Sequence, residues 1–396
     1  MSRYTGCVLA DLHFGSTNSD NFYKELSVSF IEYIKRQIKS LDFIIIAGDY
    51  FDHLLYLNEE PANKACMFMD ELVSYAKLND TKIRIVYGTE SHECNQYSIF
   101  FSKLLDSDLD FKVIKTVTEE RLFPDINVLY LPEEYIYNKS EYYSQYLTCD
   151  ERYNYIFGHG VIQELMPSAV HVERVNKSTK RAKVPVFNSN ELINSCSGEI
   201  YFGHYHIHTE IQDKVFYVGS FTRWMHGEEE PKGFFVIEYD SDKDSYNHKF
   251  VKNELAPEYN SFSYGYENKI FKSKDELFNE LTRVENLTKL DPNDHVRLIF
   301  NIPEDYPDPE SIVSTLTERF KDSKNIKIKL TNGFIRKNQR INEEYVKETL
   351  KKYAFIFDKS MPIEDQSHEF ILKKFEKDIP PDVIKYHLET KDILVK

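Results

Sequence analysis

The chain has 396 residues, of which 41% are hydrophobic and 29% charged, and its formal net charge is −15. That length predicts two or three domains with a sizeable core, in the proportions of a soluble globular protein. No stretch approaches the ~20 apolar residues of a membrane span, so no membrane association is expected. The acidic balance excludes a general attraction for nucleic acid, so any polyanion contact must be local or metal-mediated. Cys7, Cys66, Cys94, Cys149 and Cys196 are scattered without CxxC spacing. This argues against a disulfide framework or a zinc ribbon and for a reducing cytoplasm. The chain enters a strand almost at once, so no signal peptide is expected.

In chain order, the apolar segment Cys7–Ala10 runs into Asp11, Leu12 and His13. Phe22–Ile38 reads as a helix, with Leu26, Phe30, Ile34 and Ile38 on one stripe. Phe43–Ala47 is a continuous apolar run, the pattern of a strand buried on both faces. It stops at Gly48, and Asp49 and Asp52 follow. Pro61 opens a second helix whose apolar side is Cys66, Met69, Val73 and Ala76. Ile83–Tyr87 ends at Gly88, followed by Thr89, Glu90, Ser91, His92 and Glu93. Strand–helix alternation over roughly residues 1–90 predicts a partly parallel sheet, which Val128–Leu131 and Tyr155–Phe157 continue.

From about Gly198 the strands come closer together: Ile200–Phe202, Val215–Val218, Gly233–Tyr239 and Tyr246–Val251. Asn253–Tyr264 reads as a linker. A small α/β unit follows, with strands marked by Val296, Leu298, Phe300 and Ile302 and by Ile326, Ile328 and Leu330. Its helices are marked by Leu277, Leu281 and Val284 and by Ile312, Val313, Leu316 and Phe320. The remaining tail reads as helical and charged, broken at Pro380–Pro381. The domains expected are therefore 1–255, 256–338 and 339–396.

Repeated chemistry at the strand ends points to function. The polar motifs are Asp11-x-His13, Gly48-Asp49-x-x-Asp52, Gly88…His92-Glu93, Gly158-His159 and Gly203-His204-x-His206. Glycine lets the backbone turn tightly while the next side chain points into a site. Carboxylates and imidazoles brought together are ligands for first-row divalent metals. Two such cations can clamp a phosphodiester and activate water for in-line attack, and Asp49 is the candidate bridge between them.

These motifs, in this order, resemble the calcineurin-like metallophosphoesterase superfamily. Within it, Tyr217–Phe235 (YVGSFTRWMHGEEEPKGFF) is similar to the corresponding segment of the SbcD/Mre-eleven DNA-repair nucleases, with its Gly-Ser, Arg, Gly-Glu and closing Lys-Gly-Phe. The resemblance implies a four-layer αββα sandwich, a small α/β DNA-binding cap and a helical C-terminal tail that grips a partner ATPase of the SbcC/Rad-fifty type. It implies a metal-dependent DNA exonuclease and endonuclease of DNA repair and recombination, a homodimer, and a place in the cytoplasm on nucleoid or viral DNA. Two divalent ions are expected, Mn²⁺ by resemblance, with Mg²⁺, Fe²⁺ and Zn²⁺ also suited to the mixed oxygen and nitrogen donors. Asp11, His13 and His206 would complete one site with Asp49, and His159 and His204 the other. His92 would be the general acid with Glu93 orienting its ring, and Asp52, where relatives carry His or Asp, is grouped with it as catalytic.

The family's Gly-Asn-His motif is altered here. Two extra residues intervene, and Ser91 precedes His92. Ser91 is the expected, poorer ligand at that place, with Glu90 or a water as its substitutes, so weaker binding of the second metal is expected. Arg223 and Glu228 either line the site or pair with each other. His53, His171, His208 and His226 read as solvated or structural. Lys177, Lys180, Arg181 and Lys183 form one basic run, and Lys327, Lys329, Arg336, Lys337 and Arg340 a second. Each is either a solvated face or a phosphate-tracking surface. Phe370, Ile371, Leu372 and Phe375 either pack on their own domain or face the partner. The alternatives on the same scaffold are a phosphomonoesterase or protein phosphatase, and a weakly active scaffold that tethers the ATPase.

Overall fold

A computed structural model of the chain describes residues 2–38, 40–105, 107–136, 139–148, 150, 152–165, 184–264, 294–302, 314–315, 317–319, 321, 326–332, 361–375 and 380–382. The chain divides into two compact units, Met1–Asn260 with Asp291–His295, and Ser261–Leu290 with Val296–Lys396.

The first unit holds strands β1 (Arg3–Leu9), β2 (Phe43–Ala47), β3 (Lys82–Val86), β4 (Phe111–Ile114), β5 (Thr118–Phe123), β6 (Ile126–Leu131) and β7 (Tyr153–His159). It continues through β8 (Val161–Ile162), β9 (Val186–Phe187), β10 (Cys196–Gly203), β11 (Thr209–Ile211), β12 (Val215–Tyr217), β13 (Gly233–Asp240) and β14 (Ser245–Lys252). One six-stranded sheet has the order β14-β13-β1-β2-β3-β4, and the other β11-β12-β10-β7-β6-β5. β1, β2, β3 and β4 are mutually parallel, as are β6, β7, β10 and β12. Both sheets are mixed, because β13 and β14 add to the first antiparallel, as β5 and β11 do to the second.

Side-chain alternation decides the layering. Along β2, Ile44 and Ile46 join a core with Phe22, Leu26, Phe30, Phe68 and Leu72 from helices. Phe43, Ile45 and Ala47 join Val128, Tyr155, Phe157 and Tyr201 of the second sheet. The second sheet's other face carries Leu129, Ile156, Ile200 and Val215 against Tyr143 and Leu192, again from helices. This is an α/β sandwich in which two sheets share one apolar interface and each outer face is covered by helices. β2 is buried on both faces, which is why it lacks alternation in sequence.

The helix expected over Phe22–Ile38 is helical but not uniform. Ser19–Glu25 and Glu32–Gln37 are α-helical, and Leu26–Ile31 between them is a π-helix, in which the Glu32 N–H donates to the Ser27 carbonyl. A strict four-residue repeat drifts around an α-helix of about 3.6 residues per turn. The wider π turn corrects that drift, so Leu26, Phe30 and Ile34 all stay buried. The stretch read as a linker, Asn253–Tyr264, does contain the boundary between the two units, after Asn260, but it is folded. Asn253 is buried and donates to Glu25 Oε2 at 2.8 Å and to the Phe221 carbonyl at 3.0 Å. The backbone then enters a strand, β15 (Tyr259–Tyr264).

One buried ion pair ties the two sheets together. Arg84 lies between Ile83 and Ile85 on β3 and so faces the second sheet, where Glu120 of β5 receives it. Arg84 Nε lies 2.8 Å from Glu120 Oε2, and Nη2 lies 2.9 Å from Oε1. The carbonyls of Ile83 and Asp110 accept from Nη1 at 3.0 and 2.9 Å, and the Asp110 carboxylate lies 2.6 Å from Nη2. Burial opposes ionisation of Glu120, but Arg84 and Lys112 outweigh it and bring its pKa down to about 2. A depressed carboxylate stabilises the fold above its ordinary pKa, near 4.5, and that contribution is lost as pH falls through about 2. The shift corresponds to about 3 kcal/mol. Glu120→Gln is therefore expected to lose about 3 kcal/mol in denaturant unfolding at pH 7, with the gap to wild type closing as pH falls from about 4.5 toward 2. A gap that does not change over that range would remove the pair from the stability account.

A three-stranded sheet in the order β15-β16-β17 belongs to the second unit apart from Tyr259, Asn260 and His295, with β16 (His295–Ile302) parallel to β17 (Ile326–Asn332). Both strands fall where the alternation predicts them. A helix spans Ile363–Phe375. Phe370 and Ile371 in it are half-buried and Leu372 is exposed. No helix among the described residues is long and apolar enough to cross a membrane.

Candidate metal centre

The carboxyl ends of β1, β2 and β3 in one sheet and of β6, β7 and β10 in the other deliver the polar residues, at the edge where α/β sheets place ligands. β1 leads to Asp11 and His13, β2 to Asp49, β6 to Glu133, and β10 to His204, while β7 ends on His159. Asp11, His13, Asp49 and His204 all have positive φ, at 49°, 45°, 50° and 97°. For non-glycine residues this conformation is strained, and such strain collects at functional sites. Glycine is required beside them for space. A Cβ on Gly48 would come 2.0 Å from His159 Nδ1, and one on Gly88 would come 2.3 Å from Asp49 Oδ1.

The donor atoms converge in overlapping groups, each with its atoms within 4.8 Å of one another: Asp11, His13 and His206; Asp11, Asp49 and His159; His13, Asp49 and His92; and Glu133, His159 and His204. Asp49 joins them. Its Oδ2 lies 3.4 Å from His13 Nε2, 3.2 Å from His159 Nε2 and 3.2 Å from His92 Nδ1. Its Oδ1 accepts from the Thr89 N–H at 2.6 Å. Asp11 is held by the His204 N–H, 3.0 Å from Oδ1 and 3.2 Å from Oδ2.

Two imidazoles are oriented from behind. His159 Nδ1 lies 2.9 Å from the Ala47 carbonyl, which can only accept, so Nδ1 carries the proton. His13 Nδ1 lies 3.1 Å from Asp52 Oδ1. In both rings Nε2 is buried, faces carboxylates and has no hydrogen-bond partner. A buried nitrogen left this way is costly unless something else satisfies it. Burial pulls His159 down, yet Asp49, Asp11 and Glu133 outweigh it and hold its pKa well above the usual range. Burial pushes Asp49 up, and the neighbouring histidines outweigh that and hold it well below the carboxylate range. The cluster therefore carries a strong negative field that favours cations. A back-side carboxylate or carbonyl fixing the ring while Nε2 faces inward is the arrangement of metal-binding histidines. The donor set thus fits first-row divalent cations.

Of the residues predicted from sequence, Asp11, His13, Asp49, His92, His159, His204 and His206 come together. Asp52 lies against two rings: its Oδ1 is 3.1 Å from His13 Nδ1, and its Oδ2 is 3.0 Å from Nδ1 of the exposed His53. Asp52→Ala is expected to weaken Mn²⁺ binding by about 10- to 100-fold while leaving the fold intact. Calorimetric titration of the variant checks this, and unchanged affinity would limit Asp52 to surface pairing.

Ser91 is corrected. It is exposed, as is Glu90, because the Glu90–Glu93 turn carries both extra residues away from Asp49. Thr89 stands at the site instead, with Oγ1 3.2 Å from Asp49 Oδ2 and 3.1 Å from Glu133 Oε2. Glu93 is corrected as well. It does not orient His92. Its Oε1 accepts from Tyr97 OH at 2.7 Å and from the Tyr50 and Gly88 N–H groups at 3.2 and 3.4 Å, so it braces the loops. Burial, reinforced by Asp49, pushes its pKa up to about 8.

Arg223 and Glu228 do not pair through their side chains. Arg223 donates to the Glu228 carbonyl at 2.8 Å and pairs with Glu258 at 3.3 Å. The Glu228 carboxylate faces His206 Nδ1 at 3.4 Å and Lys232 at 3.2 Å, and Lys232 donates to the His206 carbonyl at 2.6 Å. The segment singled out by sequence therefore positions His206. Trp224, the chain's single tryptophan, lies in it with ring centroids 4.4 Å from His206 and 4.7 Å from His13. His208 stacks on Phe250 at 4.1 Å, outside the cleft. Lys327 and Lys329 are exposed on β17. Lys177, Lys180, Arg181, Lys183, Arg336, Lys337, Arg340 and His171 lie outside the described residues.

Glu133 is the residue that strand-end reasoning missed. It follows β6 after Leu131 and Pro132, with no glycine to mark it.

No family model matches the chain, and no curated protein matches it. Thirty-nine solved chains match it. One of them is 13% identical with a TM-score of 0.35, over 63% of this chain and 100% of the other. Likeness at that level says nothing about what this chain does.

Proposed function

We propose that the chain is a two-metal phosphodiesterase acting on DNA, the nuclease subunit of a complex with an SbcC/Rad-fifty-type ATPase, on a calcineurin-like metallophosphoesterase scaffold of the SbcD/Mre-eleven kind. The observation that carries this reading is the convergence of Asp11, His13, Asp49, His159, His204 and His206 from the strand ends of both sheets, with two inward Nε2 atoms otherwise unsatisfied. Divalent cations held by these residues would neutralise the charge on a phosphodiester and lower the pKa of water for in-line attack. Asp49 would hold both metal positions. Asp52 and the Ala47 carbonyl would hold the His13 and His159 rings still. His92, with Nδ1 against Asp49, would deliver a proton from Nε2 to the departing oxygen.

DNA as substrate rests on the resemblance of Tyr217–Phe235 and on exposed basic residues in an acidic chain. Lys327 and Lys329 would contact phosphates. Reversing both to Glu is expected to weaken DNA binding and to flatten its dependence on salt by about one unit of log–log slope per lost contact. An unchanged slope would move the DNA path elsewhere. The helix Ile363–Phe375 would dock the ATPase through Phe370, Ile371 and Phe375, and the complex would be a homodimer on nucleoid or viral DNA.

The deciding assay compares Mn²⁺-dependent hydrolysis of single- and double-stranded DNA with that of nitrophenyl phosphate. DNA cleavage that a chelator abolishes is expected. Turnover of the monoester alone would make the chain a phosphomonoesterase, and no turnover of either would make it a tethering scaffold.

A further inference from the structure

The altered Gly88–His92 motif lacks the amide that, by resemblance, would complete the second metal position, and a buried carboxylate faces the same two imidazoles. Glu133 is 3% exposed, and its Oε2 lies 3.1 Å from His204 Nδ1 and 3.6 Å from His159 Nε2. That His159 nitrogen is itself fully buried and without a hydrogen-bond partner. The other oxygen, Oε1, accepts from Tyr135 OH at 2.5 Å. The Glu133 N–H donates to the Tyr87 carbonyl at 3.0 Å, which pins the loop after β6 to the loop after β3. Thr89 Oγ1 lies between Oε2 of Glu133 and Oδ2 of Asp49 and has one proton to give, so it spaces the two carboxylates. A carboxylate turned inward, with its outer oxygen and its backbone both tied, is a built ligand position rather than a chance surface pair.

We propose that Glu133 is a ligand of the second metal, in the place the missing amide leaves, alongside Asp49, His159 and His204. The proposal rests on the two-metal reading of the site. Its consequence reverses the expectation drawn from the sequence. A carboxylate adds a negative charge where an amide is neutral, so the second position binds its cation more tightly than an amide-ligated one.

Trp224 provides a readout other than activity. Its ring touches His13 and His206, which belong to the first position, so quenching of its emission by Mn²⁺ reports that position. Calorimetric titration of the full chain with MnCl₂ counts both. The wild type is expected to bind two equivalents. Glu133→Gln keeps the shape and removes the charge, and should weaken one equivalent by about 10- to 100-fold, with the Trp224 quenching midpoint within about twofold of wild type. Glu133→Ala should lose that equivalent altogether. Two equivalents of wild-type affinity in Glu133→Gln, or in a folded Glu133→Ala, would overturn the assignment. Equal weakening of both equivalents would also overturn it, because Glu133 would then support the whole site rather than one position. A wild type that binds no Mn²⁺ would instead bring down the two-metal reading, which separates the two failures.

Discussion

Asp49→Ala is expected to lower Mn²⁺-dependent phosphodiester hydrolysis by about a thousandfold or more, the largest effect of any single substitution in the chain. Asp49 is within reach of three imidazoles, and its Oδ1 is fixed by the Thr89 N–H. In the proposed two-metal site, removing it would take one ligand from each position and the negative charge between them. Metal assistance contributes several kcal/mol to such reactions, and each 1.36 kcal/mol is about a factor of ten. Asp49→Asn separates charge from shape. It should keep the Thr89 contact and the fold, yet still lose most activity and bind Mn²⁺ weakly. Near wild-type hydrolysis in Asp49→Asn would remove Asp49 from the centre of the account.

His92→Ala is expected to lower turnover by the ~10²–10⁴ typical of a general acid or base, with metal content and DNA binding near wild type. The structure presents two uses for this ring. It belongs to a donor group with His13 and Asp49, and its Nδ1 is within 3.2 Å of Asp49 Oδ2. It is also the more open ring: its side chain is 34% exposed, against 2% for His13 and 0% for His159. A proton donor needs that access to the leaving oxygen, and a histidine titrates in the range where it can act. Full activity of His92→Ala would sink the acid role, and loss of bound metal would make His92 a ligand.

What was legible in the sequence followed from strand ends. Asp49, His159 and His204 each come directly after a glycine, and Asp11 directly after an apolar segment, with His13 two residues further on. Those signals depend only on local chain geometry, so they survive without knowledge of the fold. Glu133 gave the same kind of signal in weaker form. Val128–Leu131 was legible as a strand, and applying the same rule past its end reaches Pro132, Glu133 and Glu134. Two adjacent acids do not reveal which one turns inward, and that choice is made by Tyr87 and Tyr135, distant or silent in the pattern. Ser91 takes the ligand place only by resemblance, because it precedes His92 where the family's motif has Asn. The turn at Glu90–Glu93 instead lifts the extra residues out and leaves Thr89 against Asp49. Glu93 was misassigned for a similar reason. The resemblance makes it the partner of His92, while its burial sends it to Tyr97 and the backbone. The four-residue repeat from Leu26 to Ile38 located a helix, but only the structure shows the π turn that keeps this repeat on one face.

Anomalous scattering from crystals of the chain grown with Mn²⁺ tests the central claim most directly. Two peaks about 3.5–4 Å apart are expected, on either side of the Asp49 carboxylate. One should lie among Asp11, His13 and His206, and the other among Glu133, His159 and His204, with ligand distances of about 2.0–2.2 Å. No peak at saturating Mn²⁺, or peaks only away from Asp49, would contradict it.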